Sequence, residues 1–185
     1  MNRLLHLDTG IHVPNSVSRQ LSAAIVDWFK ITNKAIDITY RDLATNPLPA
    51  LTGTVLASIN STDISTLSPK RQTEVHESNK ALDEFMAADI VVIGMTFYNF
   101  SLPSALKTWL DRVIVSDKAF ANDANGIGRL RGKRVIIAIS RADMFSNGSS
   151  FTPREHAMRY LRDIFSVIGI NDLDVIIGEG RNLGA

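Results

Sequence analysis

Strand-length apolar segments alternate with amphipathic segments along this chain. Apolar residues dominate the short segments at 3–7, 36–40, 90–95, 135–139 and 173–177. Between them, apolar residues return every three or four positions, at 18–31, 69–88, 103–115 and 152–168. The first pattern is typical of β-strands, and the second is typical of helices that bury one face. The sequence therefore predicts a repeating strand–helix arrangement.

The apolar segments also indicate where each strand lies in a sheet. Segments 90–95 and 135–139 are apolar without alternation, as in strands covered on both faces, whereas 36–40 alternates with polar residues, as in a strand near an edge. Strands joined by right-handed helical crossovers form an open parallel sheet with helices on both faces. We therefore predict a doubly wound α/β fold with a five-stranded parallel sheet, flavodoxin-like, in the strand order 2-1-3-4-5.

Local signals set the expected ends of these elements. Ser68 and Pro69 form a cap-and-proline start for the helix at 69–88. The sequence from Thr152 to Glu155 has the spacing of a capping box, so the last helix is predicted to begin there. Residues 42–68 contain prolines and no clear periodicity and are predicted to be irregular.

The chain after the fifth predicted strand is short. Only residues 178–185 follow it, so the C-terminal helix is predicted to be short or missing, and the alternative is that another surface, such as a second subunit, covers that flank. Residues 1–185 are expected to form a single domain, because a chain of this length buries ~70% of its unfolded surface.

Composition excludes several classes of protein. The chain has no cysteine, which excludes disulfide frameworks, cysteine-bound metals and thiol catalysis and suits the reducing cytoplasm. Twenty basic and nineteen acidic residues give a net charge of +1, so neither nucleic acid nor an anionic membrane is an expected partner. The four histidines are scattered without ligand spacing, and no metal site is predicted.

A ligand of this fold is expected beyond the carboxyl ends of the strands, in the loops 8–18, 96–103 and 140–153. Ser16 and Ser18 stand at the mouth of the first helix, where hydroxyls and free N–H groups favour an anion such as a phosphomonoester. Neither G-x-G-x-x-G nor G-x-x-x-x-G-K-[ST] occurs there. The alternative is that one of the two serines only caps the helix.

The second loop carries an aromatic cluster directly after the most apolar strand. Phe97, Tyr98, Asn99 and Phe100 combine ring surfaces with backbone amides, which suits a flat heteroaromatic ring. The alternative is that these aromatic residues close the end of the core.

These loops together resemble those of a known family. Thr9 with the sequence Asn-Ser-Val-Ser at 15–18, the Phe-Tyr-Asn-Phe sequence at 97–100 and the Ser-Arg pair at 140–141 resemble the three flavin-binding segments of the FMN-dependent NADH-azoreductase family. Members of this family are flavodoxin-like homodimers related to the NAD(P)H:quinone oxidoreductases. The segment 41–49, Leu106-Lys107 and Gly169-Ile170 also match, so the resemblance covers almost the full chain.

The resemblance implies a flavoenzyme. FMN would be the bound cofactor, NADH or NADPH the electron donor, and quinones or azo compounds the acceptors, in a ping-pong hydride transfer through flavin N5. No side chain would act as a catalytic group, since the cofactor carries the chemistry. The implied cofactor-binding residues are Thr9, Ser16, Val17 and Ser18 at the phosphate, Phe97, Tyr98, Asn99 and Phe100 at the ring, and Ser140 and Arg141 at its N1 and O2 side.

Two positions depart from the family pattern. Gly10 stands where the family commonly has serine, and the family's Ser-Arg-Gly-Gly becomes Ser140-Arg141-Ala142-Asp143. A carboxylate facing the ring would oppose its reduction. Asp143 is therefore expected to point away, to pair with Arg141, or to lower the reduction potential.

Two further interpretations stay open. A flavodoxin-type electron carrier would bind FMN without a small-molecule substrate, although such carriers are usually acidic and this chain is not. A family member that has lost flavin and serves a structural or regulatory role is the other alternative, suggested by Ala142-Asp143 and the short tail.

Overall fold

The chain forms a parallel five-stranded sheet flanked by helices. The computed structural model describes residues 2–12, 15–59, 61, 63–120, 128–146 and 148–180. Within these residues the elements are β1 (Arg3–Asp8), α1 (Val17–Thr32), β2 (Asp37–Asp42), α2 (Gly53–Ser58), α3 (Pro69–Ala87), β3 (Ile90–Thr96), α4 (Ser104–Val113), β4 (Arg134–Ser140), α5 (Ala157–Val167) and β5 (Asp172–Gly178). All neighbouring strands are parallel and follow the order β2-β1-β3-β4-β5, which confirms the predicted fold class.

The two faces of the sheet carry separate apolar cores. Alternate residues of a strand point to opposite faces, so Leu4 packs with Val26 and Phe29 of α1, while Leu5 belongs to the larger core under α3, α4 and α5. Strand β3 is buried over nearly its whole length, as the lack of alternation predicted. This packing fixes the carboxyl ends of β1, β3 and β4 side by side.

A buried arginine ties the segment after β2 to the helices. Arg112 of α4 has no exposed surface, and its guanidinium donates to the carbonyl oxygens of Pro49 at 2.6 Å, Ala50 at 3.3 Å and Glu74 at 3.4 Å, and to Ser78 Oγ. Burial lowers the pKa of Arg112 below its usual range. The irregular chain around residue 50 is therefore anchored at its backbone.

Two predicted boundaries were wrong. Residues 42–68 are not irregular throughout, because Thr52 accepts the N–H of Val55 at 3.3 Å and starts the six-residue helix α2. The last helix does not begin at Thr152, where a short 3-10 turn lies instead. Glu155 accepts the N–H of Met158 at 3.1 Å rather than reaching back to Thr152, and α5 begins at Ala157.

The sheet ends in two different edges. Strand β2 is one edge, as its alternation predicted, and β5 is the other. Ile176 and Ile177 of β5 are 41% and 43% exposed. The tail at 181–185, where a helix was predicted to be short or missing, lies outside the described residues. Among the described helices, none is long and apolar enough to cross a bilayer.

Candidate functional site

Four hydroxyl groups form a chain beyond the ends of β1, β3 and β4. Ser16 Oγ lies 3.0 Å from Ser18 Oγ, Ser18 Oγ lies 3.2 Å from Thr96 Oγ1, and Ser140 Oγ donates to Thr96 Oγ1 at 3.4 Å. Ser16 holds the N-cap position of α1, yet its side chain makes no capping hydrogen bond. The first turn of α1 thus keeps N–H groups that a bound anion would satisfy.

The close approach of these hydroxyls depends on a glycine. A Cβ added at Gly10 would lie well inside van der Waals distance of Ser16 Oγ and 3.1 Å from Ser18 Oγ. The loop after β1 closes onto the space that a side chain at Gly10 would fill. The departure seen in the sequence is therefore matched by the local packing.

The loop after β3 is a tight turn with an unusual backbone. Tyr98 and Ser101 exchange two backbone hydrogen bonds, at 3.1 and 2.9 Å, around Asn99 and Phe100. Asn99 has a φ of 45° and Phe100 a φ of 67°, a region that asparagine tolerates and phenylalanine rarely adopts. Neither donates its backbone N–H to another described residue. The turn thus presents backbone donors at an exposed rim.

The aromatic residues of this loop belong partly to the core and partly to the rim. Phe97 packs against Phe145 with ring centroids 4.7 Å apart, and the guanidinium of Arg141 lies 5.5 Å from the Phe97 centroid. Phe145 is buried, whereas Phe100 is 43% exposed. Phe97 therefore helps to close the core, as one interpretation predicted, and the exposed Phe100 leaves the ligand-binding interpretation open.

These loops surround one cavity of about 480 Å³, within the range of small-molecule sites. Six predicted residues line it: Ser16, Val17, Phe97, Tyr98, Ser140 and Arg141. Four predicted residues do not line it: Thr9, Ser18, Asn99 and Phe100. Ser18 is buried behind Ser16, and Thr9 donates its hydroxyl to the Gly94 carbonyl at 3.1 Å. The structure thus brings the three predicted loops together. Thr9 instead holds the chain after β1 against β3.

Sequence reasoning missed one side of this cavity. Gly178, Glu179 and Gly180, which follow β5, line it together with His12, Asn15, Thr96 and Ala142. The same rule that selected the loops after β1, β3 and β4 applies to the carboxyl end of β5. That rule is the signal that could have found them.

A buried ion-pair group stands at this side of the cavity. Arg141 Nη1 lies 3.4 Å from Glu179 Oε2, and Arg141 Nη2 lies 3.4 Å from Glu155 Oε1. Burial raises the pKa of Glu179, but hydrogen bonds from Ser146 and the Phe145 N–H and the charge of Arg141 outweigh it and hold that pKa below its usual range. The carboxylate at the cavity is therefore ionised.

Asp143 occupies a different place. Its side chain belongs to an exposed residue that does not line the cavity. The three outcomes considered for this carboxylate stay predictions.

A second polar cluster, centred on Asp8 and Arg19, supports the loop after β1 on the side of β2. Asp8 is buried and accepts from Ser22 Oγ at 2.8 Å and from the Tyr40 hydroxyl at 3.1 Å. Burial first, and the neighbouring carboxylates next, raise the pKa of Tyr40 to about 12. Arg19 donates its Nε–H to the Gly10 carbonyl at 2.9 Å and binds Asp42 through both terminal nitrogens at 2.8 and 2.9 Å. Arg19 therefore joins the loop to the end of β2.

Acid should weaken this support. Burial raises the pKa of Asp42, but hydrogen bonds from Arg19 and Thr45 and the charge of Arg19 lower it to about 2. Because the unfolded carboxylate takes up its proton at higher pH, the stabilisation is complete above pH ~4 and is lost as the pH falls towards 2. We expect a loss of about 1.5 kcal/mol over that interval, discounted for the partly exposed pair. Urea unfolding of the wild type and Asp42→Asn checks it.

The comparison needs a matched surface acid. Among the described residues, Asp27 pairs with Lys30 on the exposed side of α1, so Asp27→Asn should keep the full pH dependence. Asp42→Asn should show a flatter curve, and parallel curves for all three proteins would contradict the prediction.

No three histidine, aspartate or glutamate side chains of the described residues converge as a metal ion requires. The arrangement instead offers an anion site at α1, a rim of backbone donors and an aromatic wall. Such an arrangement suits a flat ring that carries a phosphate.

Comparisons with the sequences of known proteins agree with a site of this kind. A family model described as flavodoxin-like fold matches residues 2–185. An FMN-dependent NADH:quinone oxidoreductase of Methylorubrum populi is 45% identical over 98% of this chain and 89% of its own length. An FMN-dependent NADH:quinone oxidoreductase of Sinorhizobium medicae is 41% identical over 99% of this chain and 88% of its own length.

The fold is also found among solved structures. The chain superimposes with a TM-score of 0.89 on an FMN-dependent NADH-azoreductase from Bacillus anthracis in complex with FMN, at 22% identity over 100% of this chain and 90% of that one. At this identity the superposition establishes the shared fold.

Proposed function

Because the chain belongs to the family of the flavodoxin-like fold and to the FMN-dependent NADH:quinone oxidoreductases within it, we propose that it is a flavoenzyme that uses NADH or NADPH to reduce quinones and azo compounds. The family predicted from the sequence is thereby confirmed. The observation that carries the proposal is that one cavity is lined both by Ser16 and Val17 at the start of α1 and by Phe97 and Tyr98 after β3.

The residues present fit FMN. The phosphate is assigned to Ser16, Val17 and Ser18, where the uncapped first turn of α1 and two hydroxyls provide donors. The ring is assigned to the 97–100 turn, whose backbone N–H groups at Asn99 and Phe100 have no described partner. Ser140 and Arg141 are assigned to its N1 and O2 side, and Thr9 to the support of the phosphate loop.

When bound, FMN would supply the redox chemistry: a hydride from NADH would add at N5, and after NAD⁺ has left, the two electrons and that proton would pass to the acceptor together with a proton from water, in a ping-pong sequence. The chain's own residues bind and orient. Phe97 and Tyr98 exclude water from one side of the cavity, and Arg141 holds a positive charge there, fixed by Glu155 and Glu179. We further propose one FMN-binding domain over residues 1–185, acting as a cytoplasmic homodimer.

A direct assay tests this function. Pure protein is mixed with FMN, NADH is added without oxygen, and the flavin absorbance is followed before a simple quinone is supplied. Bleaching by NADH and recovery with the quinone are expected. A protein that cannot be loaded with FMN would exclude both redox functions and favour the structural alternative. Loading without bleaching would favour the electron carrier.

Ser18→Ala should weaken FMN binding by about 1–2 kcal/mol, roughly 5- to 30-fold, because the buried hydroxyl that orders Ser16 is lost. The dissociation constants of FMN and of riboflavin, which lacks the phosphate, are measured by flavin fluorescence. Riboflavin binding should stay unchanged.

The matched control is Ser104→Ala, an exposed serine at the start of α4. It should leave both constants unchanged. An equal loss of FMN and riboflavin affinity in Ser18→Ala would reject the phosphate assignment.

A further inference from the structure

Among the described residues, one acidic side chain lines the cavity, and the family resemblance did not include it in the site. Glu179 lines the cavity beside Arg141, and its Oε2 accepts the N–H of Phe145 at 3.1 Å in addition to its contact with Arg141. The side chains of Glu179 and Arg141 are only 10% and 3% exposed. Water therefore screens these charges poorly.

The contacts of Arg141 make the charge balance sensitive to Glu179. Arg141 also pairs with Glu155, which does not line the cavity. One guanidinium thus stands against two carboxylates, and the group carries a net charge of −1 by this count. Removing the Glu179 charge makes the group neutral, whereas removing the Arg141 charge leaves two negative charges.

A fixed charge beside a redox ligand changes the free energies of its oxidised and reduced forms by different amounts, because the two forms differ in charge. Reduction by NADH transfers two electrons and one proton as a hydride and leaves NAD⁺, so the bound group gains one negative charge unless water supplies a second proton. A nearby carboxylate opposes that gain, and a guanidinium favours it.

We propose that Glu179 tunes the reduction potential of the bound flavin: its fixed carboxylate disfavours the reduced form and so keeps the cofactor a strong electron donor to the acceptor. The inference rests on the proposed function. Glu179 touches the cavity itself, and Arg141 positions and partly neutralises it. The lowered pKa of Glu179 agrees with a charge that persists through the neutral pH range.

A purely structural role makes a different prediction. If Glu179 served only to fix the loop by binding Phe145 N–H and Arg141, its loss would weaken oxidised and reduced FMN alike. The ratio of the two dissociation constants, which the midpoint potential reports, would then stay constant.

The test compares midpoint potentials of FMN bound to wild type, Glu179→Gln, Arg141→Met and Asp143→Asn, each saturated with FMN at neutral pH. Glu179→Gln keeps the side-chain volume and an oxygen for the Phe145 N–H. We expect it to raise the affinity for reduced over oxidised FMN roughly tenfold, which is about +30 mV for a two-electron couple. Arg141→Met should shift the potential in the opposite direction. Asp143→Asn, an exposed residue of the same loop, should not shift it.

The outcomes separate this inference from the function on which it rests. An unchanged or lowered potential in Glu179→Gln overturns the inference alone, provided that wild type binds FMN and is bleached by NADH. A shift in Asp143→Asn of equal size also overturns it. If Glu179→Gln and Arg141→Met both fail to bind FMN in either redox state, the pair is structural and the inference is rejected. Wild type without FMN binding overturns the proposed function and this inference together.

Discussion

Asn99→Ile is expected to weaken FMN binding roughly 30- to 150-fold. Asn99 has a φ of 45°, and a β-branched side chain in that region costs about 2–3 kcal/mol. The turn would relax, and the backbone N–H groups that we assign to the flavin ring would change position. Titration of the apoprotein with FMN, followed by fluorescence, gives the dissociation constant.

Asn99→Gly is the matched variant. Glycine removes the same side chain but adopts a positive φ without strain. If the backbone of the turn binds the flavin, Asn99→Gly should bind FMN within a few fold of wild type. A loss as large as that of Asn99→Ile would assign the binding to the asparagine amide instead.

Arg112→Met is expected to lower the free energy of unfolding by about 3 kcal/mol. The substitution removes the donor of the part-buried carbonyl oxygens of Pro49 and Ala50 and of the buried Ser78 Oγ, and a buried group left unsatisfied costs about 1–3 kcal/mol. The cost of burying the guanidinium is removed at the same time and offsets part of this loss. Urea unfolding and the melting temperature measure the effect.

The control for Arg112→Met is Arg159→Met on the exposed side of α5. That change should alter stability by less than about 0.5 kcal/mol. If Arg112→Met were as stable as Arg159→Met, the carbonyl oxygens near residue 50 would not depend on the buried arginine.

The sheet could be predicted because its strands differ in burial. The lack of alternation in β3 and β4 and the alternation at 36–40 placed centre and edge correctly. The short helix α2 could not be predicted, because six residues contain too few turns for periodicity. The start of α5 was wrong because Glu155 binds Arg141 and Met158, contacts that no local spacing reveals.

The site was predicted unevenly for a related reason. Ser16, Phe97 and Ser140 follow central strands, so strand order alone brings them to one cavity. Glu179 lies after the edge strand β5, outside the three loops in which the ligand was predicted, and its role depends on the position of Arg141. The net charge around Arg141 depends on which side chains the fold brings next to it, and the composition of the chain does not reveal that.

Arg19 has a mechanical consequence for the proposed phosphate site. Its guanidinium binds Asp42 at the end of the edge strand β2 and also donates to the Gly10 carbonyl in the loop after β1. Fraying of that strand and opening of the loop are therefore coupled motions. A ligand that orders the loop after β1 would therefore also reduce fraying at the end of β2. Binding of the cofactor would thus stiffen a strand end that the cofactor does not contact.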